Sequence, residues 1–140
     1  MIRAGLVAAL ALASALPAAA ATQPRLAITS FRLVGPGGTT VAPPVVRGSH
    51  PEYRIEYRIA GARALRVTRR LQLVSPEGIL LDASARSAAR QAPGSYFTLG
   101  TIRVGRADPP GVYVLRYHIT VREPGGSRVT RGRRMFVRFT

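Results

Sequence analysis

Two runs in this chain alternate apolar and polar residues with a period of two, and no other feature constrains its fold as tightly. In Tyr53-Arg54-Ile55-Glu56-Tyr57-Arg58-Ile59 the odd positions are apolar and the even ones charged. Successive side chains of an extended chain point to opposite sides, so Tyr53, Ile55, Tyr57 and Ile59 share one face. Val112 to Val121 repeats the design: Tyr113, Leu115, Tyr117, Ile119 and Val121 face inward, while Arg116, His118 and Thr120 face outward. A helix would scatter these residues around its axis, so both runs read as half-buried strands.

Five further runs are less regular. In Arg25 to Val34 the apolar phase moves from Leu26 and Ile28 to Phe31 and Leu33, which predicts a bulge or sheet switch near Thr29-Ser30. Leu65, Val67, Leu71 and Leu73 share a parity that Arg69 interrupts, so this strand either bends there or buries an Arg stem. Ile79 to Asp82 follows Ser75-Pro76-Glu77-Gly78, with Pro and Gly where a type I turn wants them. Tyr96 to Val104 carries Gly100 mid-run, which predicts a kink. Arg128 to Phe139 is expected to pair back on the preceding strand through Glu123-Pro124-Gly125-Gly126. The long connection Gly35 to Pro51 holds four prolines and should run extended over one end. Ala83 to Ser95, small and polar, reads as mostly loop with room for one helical turn. Seven short strands at this spacing predict an all-β, antiparallel, immunoglobulin-like β-sandwich.

One local motif points the same way. Asp108-Pro109-Pro110-Gly111-Val112-Tyr113-Val114-Leu115 resembles the Gly-x-Tyr-x-Cys signature that opens the sixth strand of immunoglobulin-type sandwiches. That resemblance implies that Tyr113, after Gly111, is a tyrosine-corner residue whose hydroxyl bonds to upstream backbone, with Leu115 replacing the cysteine. The chain has neither the cysteine pair nor a Trp, so it is similar to bacterial secreted immunoglobulin-like or fibronectin-like domains rather than to antibody domains.

The first 21 residues read as an export signal. Arg3 precedes the apolar run Ala4 to Leu16, then Pro17 and two overlapping small-residue triplets ending at Ala20 and Ala21. An uncleaved anchor is the competing reading, against which stand the weak, Ala-rich hydrophobicity and the cleavage triplets. A mitochondrial transit peptide would carry more Arg and Ser. The expected arrangement is a signal peptide over 1–21 and one domain over 22–140, periplasmic or secreted, with no transmembrane span after cleavage. One domain of that length buries enough surface to be stable without staples. The point matters because there is no cysteine, hence no disulfide, thiolate metal site or cysteine-linked lipid anchor.

All 21 basic residues are arginine, against six acids: Glu52, Glu56, Glu77, Asp82, Asp108 and Glu123. Such a balance attracts polyanions such as anionic envelope polymer or lipid, or an acidic envelope protein. Arg without Lys, beside abundant Ala, Gly and Pro, is also what a GC-rich coding bias produces, so the count alone names no partner. Placement decides. In immunoglobulin order the third, sixth and seventh strands share a sheet, which would turn Arg66, Arg70, Arg116, His118, Arg134 and Arg138 outward together. These residues are the candidate anion- or partner-binding site, with register on the third and seventh strands left open by Arg69 and Arg131.

The sequence shows no catalytic constellation. The two histidines, His50 in a Gly-Ser-His-Pro loop and His118 on a strand, have neither a His-x-His pattern nor an acidic cluster beside them, so no metal or other cofactor is expected. Ser49 beside His50 is adjacency in sequence, and no Gly-x-Ser-x-Gly elbow occurs. Glu52 and Glu56, four apart on a strand, stand about 13 Å from each other, too far for a glycosidase pair. Gly37-Gly38 and Gly125-Gly126 lack the Lys-Ser/Thr of a phosphate loop. The strand tyrosines belong to the apolar face, which leaves no stacking platform for nucleic acid. No small-molecule substrate is evident either. The expectation is a non-enzymatic binding or accessory module of the envelope. The alternatives are an assembly subunit acting by strand addition and a small envelope enzyme of unrecognised type, the latter needing a deep pocket with convergent polar groups.

Overall fold

The computed structural model describes residues 23–61 and 63–140; the expected signal peptide over 1–21 lies outside the described residues. Seven strands follow in order: β1 (Arg25–Val34), β2 (Glu52–Ala60), β3 (Leu65–Val74), β4 (Leu80–Gln91), β5 (Gly94–Thr101), β6 (Gly111–Arg122) and β7 (Arg128–Phe139). They form two antiparallel sheets, β1-β2-β5 and β4-β3-β6-β7, packed face to face. This is the expected all-β sandwich, with β3, β6 and β7 in one sheet as immunoglobulin order requires. The fourth strand joins that same sheet, so the layers hold three and four strands.

The alternation dictates the core. Tyr53, Ile55, Tyr57 and Ile59 of β2 and Tyr113, Leu115, Tyr117, Ile119 and Val121 of β6 are all buried, and the two central strands meet across the sandwich. In β1 the phase change is a bulge. Ile28 pairs with Tyr57, the register slips between Ile28 and Ser30, and Phe31 and Leu33 then face inward opposite Ile55 and Tyr53. An extra residue in one strand exchanges its inward and outward positions, which is how both halves of β1 present apolar groups to one core. Phe31, Tyr53 and Tyr117 meet edge to face with ring centroids 5.8, 5.9 and 6.1 Å apart, joining the sheets through an aromatic cluster.

The tyrosine corner is present. Tyr113 is fully buried, its hydroxyl donates to the Pro109 carbonyl at 2.6 Å, and its ring packs edge-on against Phe139. Gly111 makes the approach feasible: its φ is +139°, and a Cβ there would sit 2.9 Å from Pro76 Cγ. The Ser75–Gly78 turn closes as expected, with Gly78 N donating to the Ser75 carbonyl at 2.9 Å.

Three local expectations change. The segment 83–95, expected to be mostly loop, continues β4 as strand to Gln91 and opens β5 at Gly94. Its outward and inward positions are both small or polar because β4 is an edge strand with little to bury, so it lacks the apolar period by which strands are recognised. The fifth strand ends at Thr101 rather than Val104; Ile102 and Val104 still fill the core beyond its end, and Ile102 N donates to the Pro51 carbonyl at 2.8 Å. Gly100 lies within β5, where a Cβ would collide with the Tyr53 ring, so close approach of that ring is what the missing side chain permits. In the connection 35–51 a single 3-10 turn, Pro36–Gly38, precedes extended chain. Val45 then pairs in parallel with Phe139, covering the C-terminal end of the β7 edge.

Candidate functional site

Register converts the outward positions of the four-stranded sheet into rows. Arg90, Arg66, Arg122 and Arg128 stand opposite one another on β4, β3, β6 and β7. The next row is Thr68, Thr120 and Thr130, the last two hydroxyls 2.8 Å apart. Arg70, His118 and Gly132 follow, then Gln72, Arg116 and Arg134, and Arg138 closes the face opposite Val112. All six expected site residues therefore share one surface, roughly 33 Å along the strands from the Arg66 row to Arg138 and about 15 Å across. Arg122, Arg128 and Arg90 extend it. The first two have the same parity as residues already singled out, whereas Arg90 falls in the segment expected to be loop.

His118 is held flat. A Cβ at Gly132 would lie 2.8 Å from its Cδ2, so the ring covers the bare backbone of the neighbouring strand. Between the Arg116 row and the sheet's end lies an apolar row, Leu80, Val74, Val114 and Phe136, of which Phe136 is 62% exposed.

Charge is distributed unevenly between the sheets. Among the described residues the ion pairs are Arg54 with Glu56 at 2.7 Å and Arg32 with Glu56 at 4.0 Å, both on the three-stranded sheet. There Arg54 also lies over the Phe97 ring, 4.1 Å from its centroid. On the four-stranded face no strand position carries an acid; Glu123 sits in the β6–β7 turn at its end, and Asp82 points to the other side of β4. Three depressions of about 300, 440 and 510 Å³ corrugate this face, so it is a broad surface and not a deep pocket.

Arg69 keeps the inward parity of β3. It opposes Arg86 of β4 at the rim of a cleft of about 550 Å³ between β4 and β5, edge strands that do not bond to each other. Its Nη1 donates across the cleft to Thr98 Oγ1 of β5, while its buried Nε has no partner. Tyr53 and Tyr117 line the same space with Asp82, Ser84 and Arg103. Burial pushes the Tyr117 phenol up to about 12, the neighbouring Tyr53 hydroxyl adding and Arg69 opposing. Burial also raises Tyr53, against the pull of Arg86 and Arg69. Both phenols stay protonated, so the cleft presents hydrogen-bond donors with Asp82 as its one carboxylate. The sequence signalled it only through Arg69, the residue that broke an otherwise apolar parity.

No protein-family model and no curated protein matches this chain. Among solved structures, the C-terminal domain of Wzt is similar, with a TM-score of 0.61 at 12% identity over 85% of this chain and 78% of that one. A Bordetella pertussis protein assigned as ApaA gives 0.46 at 10% identity, over 85% of this chain and 95% of its own. The sporulation control protein of Bacillus subtilis gives 0.32 at 10% identity, over 84% of this chain and 49% of its own. At this identity the likeness to the Wzt domain is one of fold.

Proposed function

We propose that this chain is an exported, non-enzymatic binding module that docks the outward face of its four-stranded sheet onto an anionic component of the cell envelope. One observation carries the reading: arginines stand opposite arginines on neighbouring strands of that face, with no carboxylate at its strand positions and Glu123 only in the turn at its end. Like charges placed directly opposite destabilise a sheet, and a polyanion laid across the rows supplies the missing negative charge. The apolar row ending in Leu80 and Phe136 beside the arginines favours a surface that offers acyl chains as well as phosphate groups. Placement outside the cytoplasm rests on the leader-like residues 1–21.

Strand addition is disfavoured by the edges of the larger sheet. Arg86 on β4 and Arg131 and Arg133 on β7 occupy inward positions at the rim, where charge discourages another strand from pairing. Nucleic acid is disfavoured because the strand tyrosines are in the core, leaving Phe136 as the one exposed aromatic of this face.

Co-sedimentation with phosphatidylcholine vesicles, with and without phosphatidylglycerol, tests the proposal. Retention should require the anionic lipid and fall as salt rises through about 0.15 M, where charges beyond roughly 8 Å are screened. Replacing Arg66, Arg116 and Arg138 together with Gln should weaken retention and flatten its salt slope. Unchanged retention with the same slope would mean that this face does not bind, and binding of an acidic polymer in place of vesicles would move the partner from lipid to polymer.

A further inference from the structure

The cleft between β4 and β5 lies on the opposite side of β4 from the arginine rows and has a chemistry of its own. We propose that it binds the tetrahedral oxyanion of a phosphorylated or sulfated polyol, seated between Arg69 and Arg86. Two guanidinium groups on directly opposed strand positions repel each other, and the acid nearest them in the cleft is Asp82. The Arg69 Nη1 is committed to Thr98, but its Nε–H has no partner, a costly state for a charged donor out of reach of water. An oxyanion between the two side chains offsets their repulsion, because the planar fork of an Arg matches paired oxygens of phosphate or sulfate. The Tyr53 and Tyr117 hydroxyls, which line the same space, add neutral donors.

The size of the cleft extends the argument from an ion to a ligand. About 550 Å³ falls within the range of sites that hold whole small molecules, far beyond one oxyanion. The remaining walls present Asp82, Ser84 and Thr101, an acceptor and two hydroxyls suited to the hydroxyl groups of a polyol. This inference does not rest on the docking face, and either can fail without the other.

Backbone amide NMR of the purified protein at about 0.15 M salt provides the test, with glucose 6-phosphate, glucose 6-sulfate, inorganic phosphate and glucose as probes. The esters should give saturable one-to-one shifts at Ser84, Thr98 and Gly100, inorganic phosphate a weaker version and glucose none; the tighter ester distinguishes phosphoryl from sulfuryl recognition. Arg86→Gln, at an exposed edge position where folding is not at stake, should weaken ester binding by on the order of tenfold to a hundredfold. The variant lacking Arg66, Arg116 and Arg138 should bind the esters as the parent does. Shifts confined to the arginine rows, indifference to Arg86→Gln, or the absence of saturation would each overturn the proposal. Equal affinity for inorganic phosphate and the esters would overturn its polyol half.

Discussion

Tyr113 is the residue on which most of the local architecture converges. It is buried, its hydroxyl fixes the Pro109 carbonyl, and its ring meets the last core residue, Phe139. Tyr113→Phe keeps the ring and leaves that carbonyl without its donor, which should lower stability by about 1–3 kcal/mol. Chemical denaturation of the two proteins measures it; a midpoint equal to the parent's would show the bond to be dispensable. This residue was legible because its motif is local: glycine, tyrosine and the preceding prolines lie within a few positions of each other. Arg69 was legible only as an exception. Whether a charged residue at an inward position bends the strand, buries its stem or lines a cleft depends on what lies opposite. Opposite it here are Thr98 on β5 and Arg86 on β4, both distant in sequence. Gly100 was misread for the same reason, since the ring that requires its small size belongs to Tyr53 on the neighbouring strand.

Among the elements, the strands with apolar alternation were readable and β4 was not. β2 and β6 are interior strands, packed on one face and paired on both sides, so their own residues record the burial; β3 is interior too, and its alternation breaks where Arg69 borders the cleft. β4 has one paired edge, and its inward positions Asp82, Ser84 and Arg86 border a cleft rather than a core. Its strand character is therefore held in β3, whose residues Leu65 to Val74 supply the pairing, with register shifts at both ends. One side-chain contact ties the far end of β4 to the core: the Tyr57 hydroxyl donates to Gln91 Oε1 at 2.8 Å. Gln91→Ala should cost about 1–3 kcal/mol by stranding a buried hydroxyl, and should cost less than that in a Tyr57→Phe background. A double-mutant cycle measured by thermal melting reads the difference. Strict additivity would show that β4 is held by its ladder to β3 alone.

At the scale of the whole molecule the consequence of the sequence is an asymmetry of charge. Parity within β6 fixed Arg116 and His118 to one face from sequence alone. Bringing Arg66, Arg70, Arg134 and Arg138 onto that face required the pairing of β3 and β7 with β6, which only the sandwich topology supplies. The three-stranded sheet sets Glu56 between Arg32 and Arg54, whereas the four-stranded face holds its arginines against one another. Twenty arginines against six acids in residues 22–140 make self-repulsion a property of the free domain, and the rows concentrate it. Stability should therefore rise with added salt, because screening relieves repulsion faster than it weakens the few ion pairs. Replacing Arg66, Arg116 and Arg138 with Gln should raise stability by about 1 kcal/mol at low ionic strength, two of the three having an arginine directly opposite. In a chain of this size that is roughly 4 °C in melting temperature. The gain should vanish in high salt, so calorimetry of parent and variant across a salt series provides the check. A variant less stable than the parent by the same margin at every salt concentration would show that the arginine stems hold the face by packing, and that charge has little part in it.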